Sequence, residues 1–188
     1  MSETPYGFDA AKFRVARSAA GASVARIAGA TGVSERAVSL YLAGARTPRP
    51  RVLGRLAAAV GVSPAELCTV EHGTLAHLRI FTGRSQAAMA RELGMAEETY
   101  RQLETTGERS RLARARYSDR EDRWIAWQEW VPPVFGVSAG RLAAAEEHTR
   151  QQHQAERERQ WQRLRRGGPA FAARIEEAGR AARALHGR

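Results

Sequence analysis

Arginine is the residue type of this chain that is best suited to recognition chemistry. The chain has 30 basic and 20 acidic residues, and Lys12 is its one lysine. A guanidinium can donate two parallel hydrogen bonds to a phosphate or to the edge of a guanine. A surplus of +10 in 188 residues therefore predicts a polyanionic partner, most often a nucleic acid.

The other reactive side chains form no set that is typical of catalysis or metal binding. Cys68 is the single cysteine, and His148 and His153 are five residues apart rather than at the i, i+4 spacing of a helical metal site. The glycines form no phosphate loop of the G-x-x-x-x-G-K type. We therefore expect a protein that is not an enzyme and has no metal and no cofactor. The apolar runs and the N-terminus indicate neither a membrane span nor a signal peptide, which predicts a cytoplasmic location.

The elements that would present the basic side chains occur twice, 62 residues apart. Each copy reads as a short helix, a glycine turn and a second helix. A helix set across a tight turn from a supporting helix can enter the DNA major groove end first. This needs a small residue at the crossing, a glycine at the turn and a buried apolar residue in the second helix. The matched pairs are Gly21 with Gly83, Ala28 with Ala90, Gly32 with Gly94, and Val38 with Tyr100.

Capping residues and apolar spacing predict further helices around each copy. Residues 1–7 read as a loose start, after which Asp9, Ser23, Ser34 and Ser63 are candidate helix caps. Five short helices are thus expected in the first 70 residues. The ending Gly61-Val62-Ser63 recurs as Gly136-Val137-Ser138, so the second copy holds 13 extra residues, in the Arg-rich stretch Glu108–Arg123. We find no sustained strand pattern, and we expect an all-α protein.

Both copies resemble the Cro/phage-repressor type of helix-turn-helix, also called the xenobiotic-response-element family. The first is similar from Gly21 through Leu67, including GARTPRPRVLGRLAAAVGVSPAEL. The second is similar from Leu78 to Gly107 and then weakly to Leu142. The resemblance implies two tandem lambda-repressor-like five-helix domains, at residues 1–70 and 71–144, before a helical tail at 145–188. It also implies double-stranded DNA as the partner.

The resemblance also implies which residues touch DNA in each copy. The base-contacting positions are Glu35, Arg36, Ser39 and Leu40 in the first copy and Glu97, Glu98, Arg101 and Gln102 in the second. The phosphate-contacting positions are Ser23, Arg49 and Arg51 in the first copy and Ser85 and Gln86 in the second.

The two copies depart from the family pattern in different ways. The family's Gln at the second position of helix two is Gln86 in the second copy and Val24 in the first. The family's pairing of a helix-one Arg with a late Glu is kept as Arg79 and Glu104, which we expect within about 4 Å of each other; the first copy has Arg17 and Leu42.

Glu97 and Glu98, at the tip of the second reading helix, would repel phosphate. The first copy, which keeps the Arg-Pro-Arg loop at residues 49–51, is therefore the better candidate for base reading. For the second copy two roles remain open: DNA reading, and packing or dimerisation.

The C-terminal part suggests helices and an interface. Residues 145–188 hold ten Arg and six Glu, and the first part of this tail reads as a solvated helix, with phosphate contact as the alternative. Gly167-Gly168-Pro169 should break it, and a second helix is expected from Ala170 to Leu185. The spacing of Trp124, Trp127 and Trp130 predicts one shared helical face, mainly a core face. A homodimer would use this face or the C-terminal helices.

Together these features predict a sequence-specific double-stranded DNA-binding transcriptional regulator, most often a repressor, in the cytoplasm and associated with the nucleoid. One alternative with the same fold is a DNA-binding protein for plasmid or phage replication, partition or maintenance. A second alternative is an antitoxin or adaptor whose helix-turn-helix units contact proteins. The location of the binding sites would separate the first alternative from a transcriptional regulator, since a regulator binds at promoters and a maintenance protein at origins. A stable hetero-complex with weak DNA binding would indicate the second.

Overall fold

A computed structural model describes residues 6–110 and 115–166, and most of these residues are helical. The elements are α1 (Ala10–Ala19), α2 (Val24–Thr31), α3 (Glu35–Leu42), α4 (Pro50–Val60), a 3-10 helix (Pro64–Leu67), α5 (Leu75–Phe81), α6 (Gln86–Glu92), α7 (Glu97–Thr106), β1 (Ala115–Ser118), β2 (Arg123–Ala126), α8 (Trp127–Phe135) and α9 (Ala139–Arg166). We call residues 6–70 the first segment and residues 71–150 the second segment. Within the described residues, no helix is both long and apolar enough to cross a membrane.

The first segment is a helical cluster around one apolar core. Its centre is made of side chains from four helices, and Phe13, Ile27, Val38, Leu53 and Leu56 are fully buried. Burial of such side chains is the main force that holds short helices together, because helices of eight to eleven residues are marginal alone. The expected fifth helix is a single 3-10 turn, since its four residues are too few for an α-helix.

The N-terminal stretch closes this cluster, so the prediction of a loose start over residues 1–7 is wrong for its described part. Tyr6 is 4% exposed, and its hydroxyl donates a hydrogen bond to the carbonyl of Pro48. The Thr69 N–H donates to the Gly7 carbonyl at 2.7 Å, and the Asp9 N–H donates to the Leu67 carbonyl at 2.9 Å. These bonds join the two ends of the segment, a long-range pairing that has no local sequence signal.

The second segment has its own core, and α8 supplies its largest buried side chain. Trp127 is 0% exposed and packs with Met89, Tyr100, Val131 and Leu142. Ala145, Glu146 and Thr149 of α9 are buried as well, although the sequence placed residues from 145 onward in a solvated tail. The carboxylate of Glu146, which is 1% exposed, accepts from the indole N–H of Trp127 at 2.8 Å and from Arg109 Nε at 2.9 Å.

The two segments are joined through α4 and α5. Ile80 of α5 is buried in the core of the first segment. Gly54 of α4 lies beside Gly83, since a Cβ built on Gly54 would be in ordinary van der Waals contact with the Gly83 Cα, at 3.9 Å. The second segment thus contributes an apolar side chain to the first, which couples their stability.

A hairpin interrupts the helices, so the all-α prediction is wrong at residues 115–126. Strands β1 and β2 pair antiparallel, with Tyr117 opposite Trp124. The rings of these two residues contact edge to face with centroids 5.5 Å apart, a cross-strand pair that favours a sheet. Strands of four residues are too short to show sustained alternation, which explains why the sequence pattern did not reveal them.

The expected face of three tryptophans does not form. Trp124 lies on β2 and is 67% exposed, whereas Trp127 begins α8 and is fully buried. Trp127 and Trp130 do contact, edge to face at 5.6 Å. The structure therefore does not support a dimer interface made of Trp124, Trp127 and Trp130, because Trp127 is buried and Trp124 lies on a strand rather than on the helix of the other two.

Helix α9 continues through the first part of the tail, as expected from its helical propensity. From Gln151 to Arg165 nearly every side chain is exposed, including Trp161 at 60%. The predicted break at Gly167-Gly168-Pro169 and the predicted helix from Ala170 to Leu185 lie outside the described residues.

Candidate nucleic-acid interface

The α2–turn–α3 unit of the first segment has the geometry that the repeat predicts. The Ser23 Oγ accepts from the Arg26 N–H at 3.1 Å and caps α2, and the Ser34 Oγ accepts from the Ala37 N–H at 3.2 Å and caps α3. Between the helices Gly32 has φ +68, a left-handed conformation that favours glycine. Val38 is fully buried and seats α3 against the core.

The outer face of α3 presents the four base-contacting candidates of the first segment. Glu35, Arg36 and Ser39 are exposed and Leu40 is half-buried. Arg36 forms no hydrogen bond or ion pair with a described residue, so its guanidinium is available for a base edge. The Ser39 hydroxyl donates to the Glu35 carbonyl at 2.9 Å, which leaves its oxygen free to accept.

The phosphate-contacting candidates of the first segment lie at two helix starts. Ser23 is exposed at the first turn of α2, where free N–H groups favour an anion. Arg49 precedes α4 and Arg51 is in its first turn, both exposed and without an ion pair to a described residue. The Tyr6 hydroxyl bond to the buried Pro48 holds this loop, and burial raises the pKa of that hydroxyl. Sequence reasoning missed Tyr6.

In the second segment the equivalent interior holds a polar network, and the predicted Arg79–Glu104 ion pair is confirmed. Arg79 Nε lies 2.5 Å from Glu104 Oε2, and Nη2 lies 3.1 Å from Oε1. The same carboxylate accepts from Gln86 Nε2 at 2.9 Å and from the Tyr100 hydroxyl at 2.8 Å. Burial alone would raise the pKa of Glu104, but the hydrogen bonds and charge of Arg79 outweigh it and lower the pKa.

The surface of α7 brings its four base-contacting candidates together, but their one cation is already paired. Arg101 Nη1 lies 2.5 Å from Glu98 Oε2 and Nη2 lies 3.3 Å from Glu97 Oε1. Gln102 is exposed beside them. Of the phosphate-contacting candidates, Ser85 caps α6 and Gln86 donates to Glu104. The amide of Gln86 is therefore engaged inside the protein.

The first segment lacks this network and leaves a polar atom without a partner. Arg17 occupies the position of Arg79, with Val24 and Leu42 where the second segment has glutamine and glutamate. Its Nε is buried and has no hydrogen-bond partner among the described residues. Such orphaned donors are uncommon in folded proteins. The unpaired Nε of Arg17 therefore destabilises the first segment, and a carboxylate beside it would remove this free-energy cost.

The segments also differ in net charge. Residues 1–70 carry nine basic and four acidic side chains, and residues 151–188 carry the same numbers. Residues 71–150 carry twelve of each. Six arginines of the second segment are in ion pairs, whereas no described arginine of the first segment is. Free positive charge is thus concentrated outside the second segment.

The comparisons with known proteins bear on the first segment. Residues 10–68 match the family model of a helix-turn-helix domain. The match covers about a third of the chain, from the start of α1 to the end of the 3-10 helix, and it indicates DNA binding. No curated protein and no solved structure matches the chain.

Proposed function

We propose that this protein is a sequence-specific double-stranded DNA-binding transcriptional regulator, acting as a repressor in the cytoplasm at the nucleoid. The observation that supports this most directly is the set of unpaired guanidiniums around the helix-turn-helix unit of the first segment. Arg36 on α3 and Arg49 and Arg51 at α4 form no ion pair with a described residue, so DNA can supply the partner.

In this proposal α3 enters the major groove. Arg36 donates two hydrogen bonds to a guanine, Glu35 accepts from a cytosine amino group, and Leu40 contacts a thymine methyl group. Ser39 offers a hydroxyl to either type of edge. The start of α2 at Ser23, together with Arg49 and Arg51, binds the flanking phosphates and sets the register of α3.

We further propose that residues 1–70, 71–144 and 145–188 are separate functional parts and that the second part supports the first without reading bases. Its support is physical: α5 contributes Ile80 to the core of the first segment, and Arg101 is held by two carboxylates on α7. A neutral segment also gains little from phosphate, because nonspecific affinity follows the number of phosphates neutralised.

Selection of bound fragments from random and genomic DNA, at stated salt, tests the proposal. The full-length protein should enrich one sequence motif, located at promoters. Enrichment at replication origins instead would indicate a maintenance protein. Recovery of no motif, together with a stable complex with another protein, would contradict DNA regulation.

A further inference from the structure

The second segment has a cleft that the DNA-binding proposal does not use. It lies between the turn from α6 to α7, strand β1 and helix α8, and its volume is about 610 Å³. We call it the Trp130 cleft, after the half-buried ring on its α8 side; Arg91, Met95, Thr99 and Arg116 also line it. Clefts of 300 to 1,000 Å³ are the usual size of small-molecule sites.

Two unpaired cations face this cleft. Arg91, in the last turn of α6, and Arg116, on β1, form no ion pair with a described residue, in a segment where six other arginines do. Glu92 also lines the cleft, and its carboxylate lies 3.7 Å from Arg84 Nη2. The guanidiniums that remain free therefore suit a ligand that carries a negative charge.

The third feature is an aromatic wall. The guanidinium of Arg116 lies 5.8 Å from the centre of the Trp130 ring, and Trp127 holds the ring edge to face from behind. The Trp130 indole N–H is buried without a hydrogen-bond acceptor among the described residues. An aromatic ring beside arginines favours a flat ligand that carries a negative charge.

We propose that the Trp130 cleft binds a small planar anion of the aromatic carboxylate class. The carboxylate bonds to Arg91 and Arg116, and the ring of the ligand stacks beside Trp130. Such a ligand would touch the turn between α6 and α7 and the hairpin at the same time. The inference does not rest on DNA binding, since none of these residues belongs to the first segment.

Calorimetric titration of the full-length protein with 2-naphthoate tests this site. Saturable binding of one molecule is expected, with 2-naphthamide binding at least about tenfold more weakly because it has no charge. Arg91→Ala and Arg116→Ala should each weaken naphthoate binding about tenfold or more, the loss of one charge-assisted hydrogen bond. Arg120→Ala is the matched control, because Arg120 is exposed in the turn of the same hairpin, forms no ion pair with a described residue and does not line the cleft.

Nuclear magnetic resonance locates the ligand independently. The indole N–H signal that disappears in Trp130→Phe should shift as naphthoate is added to the unmodified protein. The proposal is overturned if no saturable binding occurs at millimolar concentration, if the amide binds as well as the carboxylate, or if Arg120→Ala weakens binding as much as Arg116→Ala.

Discussion

Helices α2 and α3 of the first segment and α6 and α7 of the second begin at positions 62 residues apart. The charged side chains of the two segments, however, are paired in opposite ways. In the first segment Arg17, Arg36, Arg49 and Arg51 form no ion pair with a described residue. In the second segment Glu104 gathers four hydrogen bonds inside, and Arg101 is paired on the surface. Among the described residues, no arginine of the first segment is in an ion pair, whereas six arginines of the second segment are.

Removing the central carboxylate should have the largest effect on this comparison. Glu104→Ala leaves Arg79 buried without its partner, and we expect the second segment to lose about 3–5 kcal/mol of unfolding free energy. All four tryptophans lie beyond residue 70, so fluorescence during urea unfolding reports this part of the chain. Glu108→Ala, an exposed neighbour, should change stability by less than about 0.5 kcal/mol; equal losses for both variants would mean that the network contributes nothing.

The end of α7 offers a second test of how tightly the second segment is built. Gly107 has φ +70, and a Cβ there would lie 2.6 Å from the Glu146 carbonyl oxygen. Gly107→Ala should therefore cost the left-handed strain of about 1–2 kcal/mol plus a steric term of about 1–3 kcal/mol. Gly94→Ala, with φ +62 and open space around it, should show the strain alone. The same fluorescence-monitored urea unfolding measures both, and equal costs would contradict the close approach of α9.

Transplanting the network sharpens the comparison from the other side. In the double variant Val24→Gln/Leu42→Glu, Arg17 gains the partners that Arg79 has. Combining this variant with Arg17→Ala in a double-mutant cycle should reveal a favourable coupling of about 1 kcal/mol, read from amide hydrogen exchange of α1 to α3. A coupling of zero would show that positions 17, 24 and 42 of the first segment do not correspond in space to positions 79, 86 and 104 of the second.

The lowered pKa of Glu104 predicts a pH dependence of the stability of the second segment. Because the folded pKa lies below the ordinary value of 4.5, the unfolded chain binds more protons in acid, and stability rises with pH across this range. The contribution of ionised Glu104 to the free energy of unfolding should be complete above about pH 4.5 and decline as the pH falls through the folded pKa. Urea unfolding at several pH values should show a smaller decrease in the free energy of unfolding at acid pH for Glu104→Gln than for the unmodified protein. An equal decrease in both would assign the acid sensitivity to other groups.

The parts of the fold that follow from local sequence were predictable, and the parts that follow from long-range pairing were not. The turns at Gly32 and Gly94 could be predicted because glycine placement within the repeat indicates them. The Arg79–Glu104 pair could be predicted because the resemblance to the helix-turn-helix family implies it. The hairpin was missed because its strands have four residues each and are stabilised by the Tyr117–Trp124 contact across the turn.

The same limit applies to buried charge and to the candidate site. Glu146 lies in an Arg- and Glu-rich stretch, and nothing local shows that Arg109 and Trp127 enclose it. Tyr6 likewise contacts Pro48, which is 42 residues away in sequence. The candidates on α3 follow from the resemblance to the family. That Arg36 has no ion pair with a described residue is visible only when the ion pairs of the neighbouring helices are known.

Affinity for the selected DNA site, measured over a range of salt, tests the central claim most directly. Arg36→Ala in the first segment should cost about 1–3 kcal/mol and relax preference at one base pair, and Arg51→Ala should lower the salt slope by about one unit. Arg101→Ala in the second segment should leave both affinity and salt slope unchanged. If Arg101→Ala weakens binding while Arg36→Ala and Arg51→Ala do not, the second segment is the reader and the account is contradicted.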